Sequence, residues 1–276
     1  MYYKWIDAKD YTMNSFLLFD RWALRWIFTD CGEFEWFPKS DRDYRLEMAK
    51  ALYRYPYVAE YVRAKAPECG AFLDEIQALQ NDSWTDAEMR DAETFILQSH
   101  ETFVVYAYPE VMNAVNYIKN WDEKYLYELC DLSGKIVLDV GSGTGRLAFA
   151  AAKKALRVYA SEPCDCLREY MRDRIKAERI KNIKVLDGEV LNLPYENDTF
   201  DVVLSGHVIG DSYEEELAEL ARVVKDKGWI VVCNGEDEFK RTAPDAELTA
   251  RGFEWLRHES AEGGVVYNYR KQVIKR

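Results

Sequence analysis

The stretch Val137-Leu-Asp-Val-Gly-Ser-Gly-Thr-Gly145 decides the fold that this sequence predicts. It reads as a buried strand that ends in an acid, turns through three glycines and enters a helix at Arg146. Only glycine lets a backbone turn this sharply and leave space for a ligand directly above the turn. The stretch therefore predicts a small-molecule site at the end of a strand in an α/β sheet.

The sequence after Gly134 alternates short β-branched runs with amphipathic helical stretches. This alternation is typical of a doubly wound, mostly parallel sheet with helices on both faces. We predict strands over residues 135–139, 157–161, 183–186, 200–205, 229–233, 253–258 and 265–274. Gly263-Gly264 lies between the last two strands and predicts an antiparallel hairpin there.

The first 120 residues have helical periodicity and no alternating strand pattern. We predict helices over residues 16–28, 41–55, 57–65, 69–80, 85–106 and 109–130. Thr85 and Glu88 have the spacing of a capping box at the start of one of them. The sequence therefore predicts two domains, a helical region over 1–120 and an α/β domain over 121–276.

The spacing of the loop glycines indicates which class of ligand the loop binds. A dinucleotide-binding turn has the pattern G-x-G-x-x-G, whereas this loop has G-x-G-x-G and places Arg146 at the position of the third glycine. Asp139 precedes the loop, where its carboxylate would repel a diphosphate but tolerate a cationic ammonium or sulfonium. The loop therefore favours S-adenosylmethionine over a nicotinamide dinucleotide.

The stretch from Val137 to Gly145 resembles the first motif of class I methyltransferases, and the resemblance continues in register to about Arg276. It implies a Rossmann-like, seven-stranded, mostly parallel sheet with an antiparallel last strand. It also implies S-adenosylmethionine as cofactor and S-adenosylhomocysteine as product. The loop residues that would bind the cofactor are Asp139, Gly141, Ser142, Gly143, Thr144 and Gly145. Asp139 has an alternative role, in which it only holds the loop amides in place.

Four later motifs extend the resemblance, among them the segment 188–190 with Leu193-Pro194-Tyr195 after it, and the run 217–234, which resembles the family's helix, turn and fifth strand. Glu162, followed by Pro163, ends the second strand, where the family's acid binds both ribose hydroxyls. The segment Gly188-Glu189-Val190 resembles the segment that reads the adenine edge, with Glu189 as the acid. Asp187 is the alternative acid, because either residue can end the third strand.

The fourth strand ends at Ser205, which in the family faces the methyl group and the acceptor. His207 follows two residues later and is the candidate catalytic residue, because an imidazole there could take a proton from a hydroxyl or amine. The alternative is that His207 only hydrogen-bonds the backbone near the cleft.

Composition excludes several classes of protein. A formal net charge of −12 argues against nucleic acid as a partner, because lysine and arginine must neutralise phosphates. The apolar stretch 16–28 is short and charged, so we predict no membrane anchor. The opening ten residues lack a secretory pattern, which predicts a cytoplasmic protein. The six cysteines, Cys31 among them, have no zinc-site spacing, so we predict no metal.

These features predict an S-adenosylmethionine-dependent methyltransferase that acts on a small molecule, with the helical region capping the cleft and selecting the acceptor. Two alternatives stay open. One is a protein methyltransferase that docks its substrate through the helical half. The other is a non-catalytic sensor of S-adenosylmethionine or S-adenosylhomocysteine. The acceptor and the oligomeric state are not specified by these motifs.

Overall fold

The computed structural model describes residues 11–29, 40–236, 241–260 and 263–275. The chain divides into two compact units, 1–111 and 112–276. This division lies earlier than the boundary at residue 120 drawn from the sequence. The opening ten residues and Cys31 lie outside the described residues.

The first unit is helical in all of its described elements. Its α-helices are α1 (Arg21–Ile27), α2 (Tyr44–Leu52), α3 (Pro56–Lys65), α4 (Gly70–Ala78) and α5 (Asp86–Ser99), and α6 (Pro109–Ala114) spans the boundary. Shorter 3₁₀ segments cover Met13–Leu18, Pro67–Cys69 and Glu101–Tyr106. Phe16, Phe28 and Met48 are fully buried in its apolar core. No helix among the described residues combines the length and the hydropathy that crossing a bilayer requires.

Helix boundaries in this half differ from the sequence prediction most clearly in three places, one of which is the predicted helix 85–106, where α5 ends at Ser99 and a 3₁₀ segment follows. The predicted helix 16–28 is interrupted, because Asp20 adopts an extended backbone and its carboxylate accepts the Arg21 N–H (2.7 Å), which starts α1 afresh. The predicted helix 109–130 is three short helices, described below with the second unit. The capping box is confirmed, since Glu88 accepts the Thr85 N–H (2.7 Å) and Thr85 accepts the Glu88 N–H (3.3 Å).

The second unit contains all seven strands of the described chain. The strands are β1 (Ile136–Val140), β2 (Arg157–Ser161), β3 (Ile183–Leu186), β4 (Phe200–Ser205), β5 (Val224–Val232), β6 (Glu254–Glu259) and β7 (Val265–Gln272). Its helices are α7 (Asn116–Lys119), α8 (Lys124–Leu129), α9 (Arg146–Ala152), α10 (Asp165–Glu178), α11 (Tyr213–Val223) and α12 (Ala246–Ala250). The fifth strand starts five residues before the predicted 229, because residues from Val224 onward already pair with β4 at Phe200.

The strands form one sheet in the order β3-β2-β1-β4-β5-β7-β6. Neighbours from β3 to β5 are parallel, and β7 is antiparallel to both β5 and β6. The predicted fold and the predicted final hairpin are therefore confirmed. Alternate side chains of β1 face opposite layers: Val137 packs in the core that contains Ala148 of α9, and Leu138 packs in the core that contains Leu220 of α11.

Candidate functional site

The predicted cofactor residues lie along one edge of the sheet. β3, β2, β1 and β4 are parallel neighbours, so their carboxyl ends meet there. The loop 141–145 follows β1, Glu162 follows β2, the segment 188–190 follows β3, and Ser205 ends β4. The chain order reverses between β1 and β4, and in open α/β sheets a ligand crevice lies beyond the strand ends at such a reversal.

All three glycines of the loop have positive φ angles, which other residues rarely adopt. Gly145 has a φ of +92° and caps α9, and a Cβ atom there would lie 2.5 Å from Cε2 of Phe149. Gly143 has a φ of +57°, and a Cβ atom there would lie 2.9 Å from Sδ of Met112. The backbone angle disfavours a side chain at both positions, and at Gly145 the Phe149 ring also leaves no space for one, whereas at Gly143 the only close neighbour among the described residues is the flexible Met112 side chain.

Asp139 fixes the start of α9 against the loop. It is 1% exposed, and its Oδ2 accepts the Ala148 N–H at 2.9 Å. Ser142 donates its hydroxyl to the Asp139 carbonyl (2.9 Å), and the neighbouring Thr144 is buried as well. Burial raises the pKa of Asp139 to about 7, against the opposing positive charge of Arg146. The bond to Ala148 supports the architectural role of Asp139, and its contact with a ligand remains a prediction.

Glu162 joins the end of β2 to the glycine loop. Its Oε2 accepts the Gly143 N–H at 2.8 Å, and its Oε1 accepts the Cys164 N–H at 3.0 Å. The side chain is buried, which raises its pKa, while the amides of Cys164 and Gly143 act in the opposite direction. Each carboxylate oxygen can accept a second hydrogen bond, so the two amides orient the group and leave acceptor capacity for a ligand. Pro163, the next residue, is half-buried.

Arg168 supports Glu162 and was not singled out from the sequence. Its buried guanidinium donates from Nη1 to the Glu162 carbonyl (2.6 Å) and to Oδ1 of Asp187 (3.2 Å), and Nη2 pairs with Asp165. The i,i+3 spacing of Asp165 and Arg168 is the sequence signal that could have indicated it. Arg168 therefore links the ends of β2 and β3.

The segment after β3 packs closely on the end of β2. A Cβ atom on Gly188 would lie 3.0 Å from Cδ of Pro194 and 3.1 Å from Oγ of Ser161. The Tyr195 hydroxyl is 2.6 Å from the same Ser161 oxygen. The motif Leu193-Pro194-Tyr195 thus holds the end of β3 beside Glu162.

The two candidate acids after β3 have different surroundings. The Asp187 side chain is 75% exposed and pairs with Arg168. Glu189 is half-buried and forms an isolated bridge with Asn192. Val190 packs beside the core on the α11 face. Glu189 is the less exposed of the two acids, and the choice between them remains a prediction.

Ser205 and His207 lie at the end of β4. Ser205 is fully buried, and its hydroxyl has no hydrogen-bond partner among the described residues. His207 has a φ of +59°, donates its backbone N–H to Oδ1 of Asn234 (3.0 Å), and accepts the Gly235 N–H at Nε2 (2.9 Å). A neutral ring held in this way carries its proton on Nδ1. This arrangement supports the alternative role, in which His207 holds the backbone at the cleft.

Arg146 is a second residue that the motifs did not assign to the site. It begins α9, and its Nη2 donates to the Cys233 carbonyl at 3.0 Å, at the end of β5. A Cβ atom on Gly206 would lie 2.4 Å from Nη2, so this glycine leaves room for the guanidinium. A cation in the first turn of a helix opposes the helix dipole, and this unfavourable placement is the signal that could have indicated a special role.

Replacing Asp139 with asparagine should change how stability depends on pH. The folded-state pKa of about 7 lies above the ordinary value of 3.8, so the neutral carboxyl stabilises the folded state. That stabilisation is fully present below about pH 4 and is lost as the pH rises through about 7. Between about pH 5 and about pH 8, we expect the wild type to lose about 2 kcal/mol of unfolding free energy relative to Asp139→Asn. Urea unfolding at both pH values measures this difference, and parallel pH profiles would contradict it.

Comparison with known proteins matches the second unit to one family. Residues 138–232 match the family model described as "Methyltransferase domain". A demethylmenaquinone methyltransferase of Lactococcus lactis subsp. lactis is 31% identical over 128 residues, which are 44% of this chain and 51% of that protein. One from Thermobifida fusca is 33% identical over 119 residues, 41% of this chain and 49% of that protein. The chain thus spans about half the length of these curated relatives.

A solved structure shares the fold. It is a chain of the complex between the Haloferax volcanii Trm112 methyltransferase activator and a methyltransferase. The TM-score is 0.50 at 14% identity, over 63% of this chain and 96% of that chain.

The family match covers β1 through β5, the part of the sheet from which the glycine loop, Glu162 and Ser205 are presented. The cofactor of this family is S-adenosylmethionine, as the glycine spacing predicted. Residues 138–232 therefore match a methyltransferase domain, and the sheet that contains them has the seven-stranded, mostly parallel order predicted for class I S-adenosylmethionine-dependent methyltransferases.

Proposed function

We propose that this protein transfers the methyl group of S-adenosylmethionine to a small-molecule acceptor. The proposal rests on the position of Glu162. Its buried carboxylate is oriented by the amides of Gly143 and Cys164 beside the glycine loop. The two relatives reported above are named demethylmenaquinone methyltransferases. Demethylmenaquinone is a small molecule, so these names support a small-molecule acceptor.

The residues at the sheet edge fit this cofactor. Glu162 would hold the ribose hydroxyls, and Glu189 would accept from the adenine amino group. The Ser205 hydroxyl is buried and without a partner in the described structure, so a ligand at the end of β4 would satisfy it. The loop glycines would let the backbone approach the methionine part closely, and the Asp139 side chain holds the Ala148 amide in the helix that follows this loop.

When bound, the sulfonium supplies a methyl group that moves to an acceptor lone pair while its carbon–sulfur bond breaks and a neutral thioether leaves. The chain's part is to position the reactants, because aligned reactants at near-attack distance can remove about 7–11 kcal/mol of a barrier. A protonated acceptor also needs a base, which typically adds about 10²–10⁴-fold. The capping role of the helical region remains part of this proposal.

Binding and transfer test the proposal separately. Calorimetry of the full chain with S-adenosylhomocysteine tests the cofactor site, and absence of binding at millimolar concentration would refute it. Radiolabelled S-adenosylmethionine incubated with cell extract, separated by size, tests transfer. Label in the small-molecule fraction supports the proposal, label in protein supports a protein methyltransferase, and binding without transfer to either fraction supports a sensor.

Removing the Glu189 carboxylate should abolish the preference of the site for S-adenosylhomocysteine over S-inosylhomocysteine. We expect Glu189→Ala to weaken S-adenosylhomocysteine binding about tenfold, the lower range for a hydrogen bond to a charged group, because the side chain is half-buried. The matched control Asp187→Ala should change affinity less than about twofold, since that acid is exposed. S-inosylhomocysteine lacks the adenine amino donor and should bind both wild type and Glu189→Ala weakly. The reverse pattern would assign the adenine edge to Asp187.

The His207→Ala variant tests whether His207 acts as a base or only as a structural residue. We expect cofactor affinity to be preserved and turnover to fall, because the ring lies at the end of β4 and away from Glu162 and Glu189 in strand order. The pH profile of turnover on the acceptor fraction distinguishes the roles. A profile whose acidic limb disappears in His207→Ala supports a base, and equal loss of binding and turnover supports a role in holding Gly235.

A further inference from the structure

Arg146 has a guanidinium nitrogen with unused hydrogen-bonding capacity. Nη2 donates to the Cys233 carbonyl (3.0 Å), whereas Nη1 is buried and has no hydrogen-bond partner in the described part of the chain. No carboxylate of the described residues lies within ion-pair distance of this arginine, and the buried Asp139 carboxyl interacts with its charge from farther away. Buried charges in proteins are normally paired, and the arginine fork matches the two oxygens of a carboxylate. The unmet nitrogen therefore marks a position for an anionic ligand group.

The strand order separates this position from the predicted cofactor residues. Glu162 and Glu189 follow β2 and β3, on one side of β1. The Arg146 guanidinium lies against Gly206 after β4 and Cys233 after β5, on the other side of β1. A cofactor held by its ribose and adenine over β2 and β3 presents its reactive end toward β4. Arg146 thus lies on the acceptor side of the crevice.

Aromatic rings surround this part of the sheet edge. The Arg146 guanidinium carbon is 4.9 Å from the centre of the Trp121 ring. The Tyr117 and His207 rings lie 4.4 Å apart with their planes tilted by 38°, and His207 binds the Gly235 amide two residues after Cys233. Flat rings beside an arginine fork suit a planar acid better than a flexible aliphatic one.

We propose that Arg146 binds the carboxylate of a planar, acidic methyl acceptor at the carboxyl ends of β4 and β5. This inference rests on the proposed function and adds the substrate class to it. The carboxylate could also come from the methionine part of the cofactor, and the second arm of the experiment below separates the two sources.

The first arm compares benzoate with benzamide on the full chain saturated with S-adenosylhomocysteine. The two probes have nearly the same shape and differ in charge. We expect saturable benzoate binding, followed by calorimetry, at least about tenfold tighter than benzamide binding. Arg146→Met should abolish this preference and Arg146→Lys should reduce it. The matched control Arg157→Met, an exposed arginine at the other end of β2, should retain it.

Three results would overturn this proposal: equal binding of the two probes by the wild type, no benzoate binding up to high millimolar concentration, or a preference that survives in Arg146→Met. The comparison of benzoate with benzamide on the wild type tests the proposal even if Arg146→Met does not fold. If S-adenosylhomocysteine itself does not bind, the proposed function fails, and the same probes titrated into the protein alone still test Arg146.

The second arm compares S-adenosylhomocysteine with 5′-methylthioadenosine, which lacks the methionine carboxylate. An acceptor role for Arg146 predicts that Arg146→Met changes the affinity of both nucleosides by the same factor. Selective weakening of S-adenosylhomocysteine would assign the guanidinium to the cofactor and overturn the acceptor proposal.

Discussion

Glu162→Ala should weaken S-adenosylhomocysteine binding by about 10- to 150-fold. The range corresponds to about 1.5–3 kcal/mol for hydrogen bonds to a charged group. The alanine variant loses the two ribose bonds proposed for Glu162. It also releases the amides of Gly143 and Cys164, which now hold the loop and the start of α10 against β2. Calorimetric titration of the folded variant measures the change.

A matched control tests whether the loss of an acid outside the site also weakens binding. Glu178 lies at the far end of α10, where it is half exposed and pairs with Arg174 at 2.7 Å. We expect Glu178→Ala to bind S-adenosylhomocysteine like the wild type. Circular dichroism must first show that both variants are folded, because loss of two buried amide acceptors can cost about 1–3 kcal/mol of stability. Wild-type affinity in folded Glu162→Ala would remove this residue from the site.

Gly145→Ala should destabilise the protein by about 2–6 kcal/mol. A residue with a side chain at a φ of +92° is strained by about 1–3 kcal/mol. The new methyl group would also overlap the ring of Phe149, with a closest distance of 2.5 Å. That ring cannot move freely, because it is buried and the Arg174 guanidinium lies 3.8 Å from its centre. Overpacking of this kind costs about 1–3 kcal/mol.

Gly252→Ala is the control that isolates the backbone contribution. Gly252 has a φ of +81°, close to that of Gly145, but a Cβ atom there meets nothing within 4 Å. We expect Gly252→Ala to lose only the strain energy, about 1–2 kcal/mol. Urea unfolding of both variants gives the difference, which measures the overlap with Phe149. Equal destabilisation of the two variants would show that the ring moves aside without cost.

The sequence predicted local structure correctly where a single interaction between neighbouring residues determines that structure. The Thr85 and Glu88 capping box formed because both partners lie within four residues of each other. The helix predicted over 109–130 failed because periodicity does not show where a chain must turn to reach its packing partners. The residues near Asn120 leave the helix, so that α8 can pack its Leu126 against the sheet.

The sequence alone determined the strands, the glycine loop and the order of the site residues. These follow from short-range causes: β-branched runs form strands, and glycine adopts the positive φ angles of this turn most readily. The strand order β3-β2-β1-β4-β5-β7-β6 then brings Glu162, Glu189 and Ser205 to one edge.

Only the tertiary structure decided what each side chain does at that edge. It turned Glu162 onto the amides of Gly143 and Cys164, tied the His207 ring to the Gly235 amide, and placed Arg146 against Cys233 with one nitrogen unmet. Arg146 and Cys233 are far apart in sequence and meet because the Arg146 side chain extends past Gly206, which follows β4, to the carbonyl that follows β5. Hydrogen bonds between such distant residues depend on how the helices pack on the sheet, and no local pattern of residues encodes that packing.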